Sequence, residues 1–186
     1  MSEEQGIAMQ ERPMMPPVLT AKGLIARARV IDEVFQTVMK KDIHYGLIPG
    51  CGDKPALFKS GAEKLQATFG IAGEIVVADL STSDEVRYRV EARATSMASG
   101  AYLGSGVGEC SSNEEKYRWK KAANKEDWDA TAENRRRTKW ANGQKGAYEI
   151  KQVRTNPADV ANTVLKMAAK RGRVDMTLTV LGCSDL

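Results

Sequence analysis

The sequence predicts an α+β fold in which an antiparallel three- to four-stranded β-meander packs against helices. Apolar residues recur every three or four positions near both ends of the chain, which is typical of amphipathic helices. Between them, residues 73–110 alternate and are rich in β-branched side chains. The 186 residues are 42% hydrophobic and 28% charged, which indicates a globular domain with a sizeable core.

The N-terminal third predicts an arm, a helix and a loop. Residues 1–17 lack periodicity and end in two prolines, so we expect a flexible arm before a single domain over residues 18–186. An apolar stripe from Thr20 onwards predicts a helix of about five or six turns. "DIHYGLIPGCGDKPALFKSG" then predicts a long ordered loop. Ser60 and Glu63 have the spacing of a capping box for a short helix that Gly70 ends.

Three segments predict the meander: "EIVVADLS", "EVRYRVEARATSMA" and "YLGSGVGEC". On the middle strand the apolar alternates face a core, whereas Arg87, Arg89 and Arg93 share the polar face. Those arginines either solvate the sheet or contact a polyanion. The "GSGVG" run lies within a strand, so close backbone packing or a bulge is favoured over a dinucleotide site.

The last helix has a clear start. "GAYEIKQVR" predicts a short strand, and Asn156 with Pro157 forms a cap-plus-first-turn signature. Lys166, Lys170 and Arg173 cluster opposite the apolar face of that helix, where they would be solvated or bind an anion. Arg171 falls within the apolar arc, one turn before Asp175, which predicts an ion pair between them.

The positive charge of the chain is concentrated in "KYRWKKAANKEDWDATAENRRRTKW", residues 116–140. The net charge of the chain is +4, this stretch alone contributes +5, and it holds all three tryptophans. A local basic bias suggests either a polyanion partner or a solvated charged segment. The first half alternates aromatic and basic residues, which favours a groove wall with stacking rings: Lys116, Tyr117, Arg118, Trp119, Lys120 and Lys121. The second half predicts a hairpin or helix that touches a neighbouring subunit or a duplex.

Other patterns argue against several classes of protein. The three cysteines are odd in number and far apart, which argues against a disulfide scaffold or a zinc ribbon. No apolar run approaches the ~20 residues of a membrane span, and we expect a cytoplasmic protein. His44 predicts a structural hydrogen bond rather than a metal ligand. The loop glycines lack the phosphate-loop order and the carboxylates form no nuclease cluster, so we expect neither a cofactor nor enzymatic activity.

Two stretches resemble a known family. "HYGLIPGCGDKPALFKSGAEKLQATFG" and "NTVLKMAAKRGRVDMTLTVLGCSD" are similar to phage and prophage single-strand annealing recombinases, distant relatives of the Rad fifty-two, Red-beta, Erf and RecT annealing proteins. The resemblance implies a β-meander core that assembles into rings or filaments. It also implies that the protein holds single-stranded DNA in a basic groove and pairs it with a complement without nucleotide hydrolysis.

Carried onto this chain, the resemblance makes several basic residues candidates for phosphate or subunit contact: Lys54, Lys59, Lys64, Lys166, Lys170, Arg171 and Arg173. It raises the case for DNA contact by Arg87, Arg89 and Arg93. The implied partners are single-stranded DNA, annealed duplex, further copies of the chain, a phage exonuclease and the host single-strand binding protein. The implied setting is recombination and repair in a bacterial cytoplasm.

The chain departs from the family at three places. Relatives often carry a cysteine-rich zinc-binding insertion, and the basic insertion here, residues 116–145, has no cysteine. Gly172 stands where relatives have alanine, and a mid-helix glycine costs ~1 kcal/mol, which close packing or a bend would explain. Relatives usually continue past this helix into a tail, whereas this sequence ends at Leu186. The alternative function is a basic RNA- or DNA-binding accessory protein that does not anneal.

Overall fold

A computed structural model describes residues 20–50, 52–144 and 146–185. It confirms the α+β class, with helices and antiparallel sheets. The chain divides into two compact units, Met1–Val38 and Met39–Leu186. The expected N-terminal arm lies outside the described residues.

The first unit contains helix α1, Ala21–Thr37. Thr20 is its N-cap, and the Thr20 hydroxyl accepts a hydrogen bond from the Gly23 N–H at 3.1 Å. This bond satisfies one of the backbone donors that every helix start leaves without a partner. Ile31 and Val34 are the buried residues of the helix. The predicted helix is confirmed, although its 17 residues make just under five turns rather than five or six.

The second unit begins with the glycine- and proline-rich loop. Two-residue strands β1, Tyr45–Gly46, and β2, Ala56–Leu57, pair antiparallel within it. Helix α2, Lys59–Thr68, follows. Gly70 has a φ of +60°, the left-handed conformation predicted for the residue that ends the helix.

The predicted capping box of α2 was wrong. The helix begins one residue before Ser60, its N-cap is Phe58, and no side chain caps it. The Ser60 hydroxyl instead donates to the Ile43 carbonyl at 2.5 Å. The spacing of Ser60 and Glu63 predicted the right helix, but Ser60 is not its N-cap. Its hydrogen bond connects the helix to the preceding loop instead.

The first sheet has three antiparallel strands in chain order: β3, Ile71–Asp79, β4, Arg87–Ser96, and β5, Tyr102–Ser111. Val90 in the central strand pairs with Val77 on one side and Gly108 on the other. Val90, Ala92 and Ala94 are fully buried, as their alternation predicted. The register shifts between Ala94 and Thr95, the kind of irregularity anticipated for this strand pair.

The basic insertion forms a second sheet together with the strand predicted after it. Its elements are a helical turn α3, Glu115–Arg118, β6, Trp119–Lys121, α4, Lys125–Ala130, a 3₁₀ turn, Glu133–Arg135, β7, Arg136–Gly143, and β8, Gly146–Arg154. The strands are antiparallel in the order β6-β8-β7. Because β8 lies in the middle, it holds both ends of the insertion together.

Helix α5, Pro157–Leu181, crosses the apolar face of the first sheet. The Asn156 side chain caps its start, and Gly182 ends it in the left-handed conformation with a φ of +64°. The predicted limits of this helix are confirmed. Its buried residues join the sheet and α3 in one core cluster: Val90, Cys110, Tyr117, Val164 and Ala168.

Glycines let the backbone of α5 lie directly on β5. A Cβ atom added at Gly106 would lie 2.0 Å from the Met176 nitrogen, and one at Gly108 would lie 2.2 Å from the Gly172 nitrogen. Gly172 faces back towards Gly108, where an added Cβ would lie 3.2 Å from the Gly108 nitrogen. The close packing predicted for the "GSGVG" run, and offered as one explanation of Gly172, is confirmed.

We predict that Gly108→Ala destabilises the fold by about 3 kcal/mol or more, because the new methyl group would overlap backbone atoms that cannot rotate away. Gly73→Ala is the matched control in the same sheet, since its Cβ would meet only ordinary contacts at 3.5 Å and beyond. Chemical denaturation of both variants measures the difference. Equal stabilities of the two variants would contradict the glycine contact.

Candidate nucleic-acid interface

Helix α2 packs beside α5, and a groove of about 500 Å³ lies where they meet. We call it the α2–α5 groove. Its lining is basic and apolar: Lys59, Thr163, Lys166, Met167, Ala169, Lys170 and Arg173. Four of the candidate DNA-binding residues, taken from two distant stretches of sequence, therefore lie together.

The three cations that α5 contributes to the groove have no carboxylate partner among the described residues. Among the described residues, no carboxylate lies within 4.0 Å of Lys166, Lys170 or Arg173. Lys59 differs, because it forms an ion pair with Glu63 one helical turn later. The Lys170 ammonium lies 5.8 Å from the centroid of the Phe58 ring, which favours the cation without removing its charge. The groove therefore has excess positive charge beside an apolar surface.

The strand arginines have a different environment. Arg89 binds Glu109 at 3.0 Å, Arg87 binds the same carboxylate, and Arg93 binds Glu91 at 2.8 Å. Hydrogen bonds from Arg87 and Arg89 lower the pKa of Glu109, so the carboxylate stays charged at neutral pH. The polar face of the first sheet is consequently a ladder of paired charges, and its arginines are less available to an anion than the lysines of the α2–α5 groove.

Arg171 reaches across to the end of β5 and the turn after it, and its side chain stays 44% exposed. Its guanidinium donates to the Glu114 carboxylate at 2.6 and 2.9 Å and to the Glu109 carbonyl at 2.5 Å. Asp175 instead accepts a hydrogen bond from the Val107 N–H at 2.8 Å. The predicted Arg171–Asp175 ion pair was wrong. The close approach of α5 to β5 brings both side chains within reach of the strand and the turn after it.

The first half of the basic insertion is divided between several environments rather than lining one wall. Tyr117 is buried in the core cluster, so its ring does not reach the surface. Lys116 and Arg118 belong to the same helical turn, and Lys116 lies 5.3 Å above the Tyr117 ring. In β6, Lys121 is exposed, and Lys120 lies 3.6 Å from Asp159 in an exposed ion pair.

Two tryptophan rings of the basic insertion, Trp119 in β6 and Trp128 in α4, lie close to cationic side chains. The guanidinium carbon of Arg137 lies 4.5 Å from the Trp119 centroid, with those of Arg118 and Arg154 at 5.8 and 5.9 Å. Trp128 lies similarly close to cationic groups, 5.3 Å from Arg136 and 5.4 Å from Lys151. Such contacts stabilise exposed rings by ~0.5–1 kcal/mol each. Trp119 therefore stacks on arginine, whereas Trp140 on β7 is 68% exposed.

Arg154 was not among the candidate residues predicted from the sequence, although it ends the predicted strand "GAYEIKQVR" and lies beside the Trp119 ring. Its position opposite Trp119 follows from the β6-β8 register, which no short sequence motif predicts.

Lys54 and Lys64 are exposed but do not line the α2–α5 groove. The predicted structural hydrogen bond of His44 is present, because its Nδ1 accepts from the Lys40 N–H at 2.9 Å.

Within the part of the chain that the structure describes, no group of His, Cys, Asp or Glu could hold a metal ion. In the same residues no helix is long and apolar enough to cross a membrane.

Comparison with protein-family models, curated proteins and solved structures gave no match. Function is therefore inferred from the placement of side chains and from the two motifs quoted above.

We predict that Glu114→Gln lowers stability near neutral pH and that this loss shrinks on acidification. The hydrogen bond from Arg171 holds the pKa of Glu114 below its ordinary value of 4.5. Its stabilising contribution is therefore complete above pH ~4.5 and disappears as the pH falls through the lower pKa of the folded state.

Denaturation of the native protein and Glu114→Gln between pH 7 and pH 3 measures this effect. The exposed carboxylate of Glu126, in the first turn of α4, supplies the control variant Glu126→Gln. A stability difference for Glu114→Gln that stays constant over this range would contradict a structural role of the Arg171–Glu114 pair.

Proposed function

We propose that this chain is a single-strand annealing protein that binds the backbone of single-stranded DNA along the α2–α5 groove. The observation that carries the proposal is the convergence of Lys59 with Lys166, Lys170 and Arg173 on one groove. The family resemblance had nominated these residues as candidates for phosphate or subunit contact, from stretches separated by the whole first sheet and the basic insertion.

The groove supplies what annealing requires. A strand can pair with its complement only if backbone repulsion is reduced while the bases remain accessible. Exposed lysines reduce that repulsion through non-directional contacts that form and break quickly. Pairing needs no nucleotide hydrolysis, and the proposed mechanism assigns no catalytic group to the groove.

The proposal extends to assembly and setting. Further copies of the chain would form a ring or a filament, so that grooves of successive subunits follow one strand. The annealing core would be the first sheet with α2 and α5, and the protein would hold the annealed duplex after pairing. It would act in homologous recombination and repair in a bacterial cytoplasm, beside a phage exonuclease and the host single-strand binding protein.

We predict that Lys166→Ala combined with Lys170→Ala weakens binding of single-stranded DNA and slows annealing of complementary oligonucleotides. Each lost phosphate contact reduces the slope of log affinity against log salt by ~0.7, so the double variant should lose about 1.4. Fluorescence anisotropy over a salt series measures the slope, and a quenched-duplex assay without ATP measures annealing.

The control combines Lys40→Ala with Lys125→Ala, two exposed lysines that do not line the groove. An unchanged salt slope in the groove variant would count against the groove as the binding surface. If the native protein binds RNA as tightly as single-stranded DNA and accelerates no annealing, it is an accessory nucleic-acid-binding protein. Electron micrographs with and without DNA test the ring or filament.

A further inference from the structure

A second cavity, of about 670 Å³, lies where the second sheet meets the start of α5. We call it the junction cavity. It is separate from the α2–α5 groove and shares no lining residue with it. The chain segments that form it are the turn after β3, α4 with the 3₁₀ turn, strands β6 and β8, and the first residue of α5. The lining residues that matter here are Asp84, Lys120, Asp127, Arg135, Arg154 and Thr155.

The cavity gathers cations from three elements. Lys120 comes from β6, Arg135 from the 3₁₀ turn and Arg154 from the end of β8. Burial lowers the pKa of Arg154, and the like charges of Arg118 and Arg135 lower it further. The guanidinium groups therefore repel one another where water is partly excluded, and an anion between them would relieve that repulsion.

Two carboxylates lie in the same wall, and one of them has a structural partner. Asp127 accepts a hydrogen bond from the Ala123 N–H at 2.9 Å as part of the start of α4. Asp84 lies close enough to raise the pKa of Arg154, yet the lowering influences outweigh it. The three cations of the lining outnumber its two carboxylates by one. Lys120 also lies 3.6 Å from Asp159, and Arg154 donates a hydrogen bond to Asn113 at 2.6 Å, so Arg135 is the cation without such a partner among the described residues.

The wall also contains a buried hydroxyl. Thr155 is 7% exposed, and its side-chain oxygen has no hydrogen-bond partner among the described residues. A buried hydroxyl without a partner costs ~1–3 kcal/mol, so a protein rarely keeps one without a reason. Asn134 and Asn156 add amide groups to the same lining. Cations and polar residues thus line one half-open cavity.

We propose that the junction cavity binds the phosphomonoester group of a nucleotide, with Arg135, Arg154 and Lys120 as its cationic contacts. Guanidinium groups match phosphate oxygens with paired hydrogen bonds, and Lys120 adds a point charge. A monoester carries about −1.5 to −2 charges at neutral pH, more than the single charge of a diester. The clustered arginines therefore favour a terminal phosphate over the internal phosphates of a strand.

The size of the cavity fits the same ligand. Small-molecule sites usually enclose ~300–1,000 Å³, and the junction cavity, at about 670 Å³, is within that range. The polar amides and carboxylates offer hydrogen bonds to a sugar or a base, and the neighbouring arginines hold the phosphate. The phosphomonoester has two sources: the phosphorylated end of a DNA strand, or a free mononucleotide. The first source rests on the proposed function, whereas the second does not.

Fluorescence anisotropy with the full chain compares an oligonucleotide bearing a 5′-phosphate with the same oligonucleotide bearing a 5′-hydroxyl. Calorimetry compares a nucleoside monophosphate with its nucleoside. We expect the phosphorylated member of at least one pair to bind about tenfold more tightly, since charge-assisted hydrogen bonds are roughly twice as strong as neutral ones. A preference only in the oligonucleotide pair identifies the strand end, and a preference only in the nucleoside pair identifies the free nucleotide.

Arg135→Ala and Lys120→Ala should each abolish most of that preference, because both side chains are exposed and can be removed without opening the core. Lys125→Ala removes a nearby exposed lysine that does not line the cavity and should change nothing. Circular dichroism checks that each variant is folded. Arg154→Lys, which keeps the charge and loses the paired geometry, should retain only part of the preference.

The inference is overturned if neither phosphorylated ligand is preferred, or if Arg135→Ala loses no more than Lys125→Ala. Its failure is distinguishable from failure of the proposed function. Oligonucleotides that bind and anneal without regard to the phosphate would remove only the cavity site. A preferred nucleoside monophosphate with no binding of either oligonucleotide would remove the annealing function and keep the cavity site.

Discussion

The backbone contact between α5 and β5 is the constraint on which the second unit depends. Gly106 and Gly108 on the strand and Gly172 on the helix remove the side chains that would hold the two elements apart. Packed layers of secondary structure are usually held apart by side chains, and two stacked sheets lie about 10 Å apart. Here the helix backbone touches the strand, so the position of α5 along β5 is fixed closely. The glycine that weakens the helix locally is what allows the helix to dock.

The position of α5 on β5 determines which of its charged side chains are paired within the fold and which can contact a ligand. On the side of α5 that meets the strand, Arg171 reaches Glu114 and the Glu109 carbonyl, and Asp175 reaches the Val107 N–H. On the other side, Lys166, Lys170 and Arg173 face the groove beside α2. One helix therefore combines structural ion pairs with unpaired cations a single residue apart. Net charge alone could not separate these two roles.

Local signals in the sequence were sufficient for much of the fold. Four local patterns each predicted the right element or packing: the apolar stripe after Thr20, the cap at Asn156, the alternation of β4 and the glycines of "GSGVG". The groove residues Lys166, Lys170 and Arg173 were found for the same reason, because helical periodicity places them on one face.

The hydrogen-bond and strand partners that lie far away in the sequence were not predictable. Arg171 pairs with a residue 57 positions away, and Ser60 bonds to a loop carbonyl 17 positions away. The second sheet was missed because β8 pairs with two strands of the insertion, and that register is set by tertiary packing rather than by any motif.

The hydrogen bond from the Val107 N–H to Asp175 has a consequence for the margins of the first sheet. β5 is an edge strand of the first sheet among the described strands. Edge strands present backbone N–H groups without a strand partner, and an extended segment of another chain can pair with them. Asp175 occupies one of these donors from above and places a carboxylate beside the strand. An incoming strand would have to displace that carboxylate and bury its charge. Asp175 therefore hinders the addition of a further strand beside β5, and β3 is the more accessible edge strand of the first sheet.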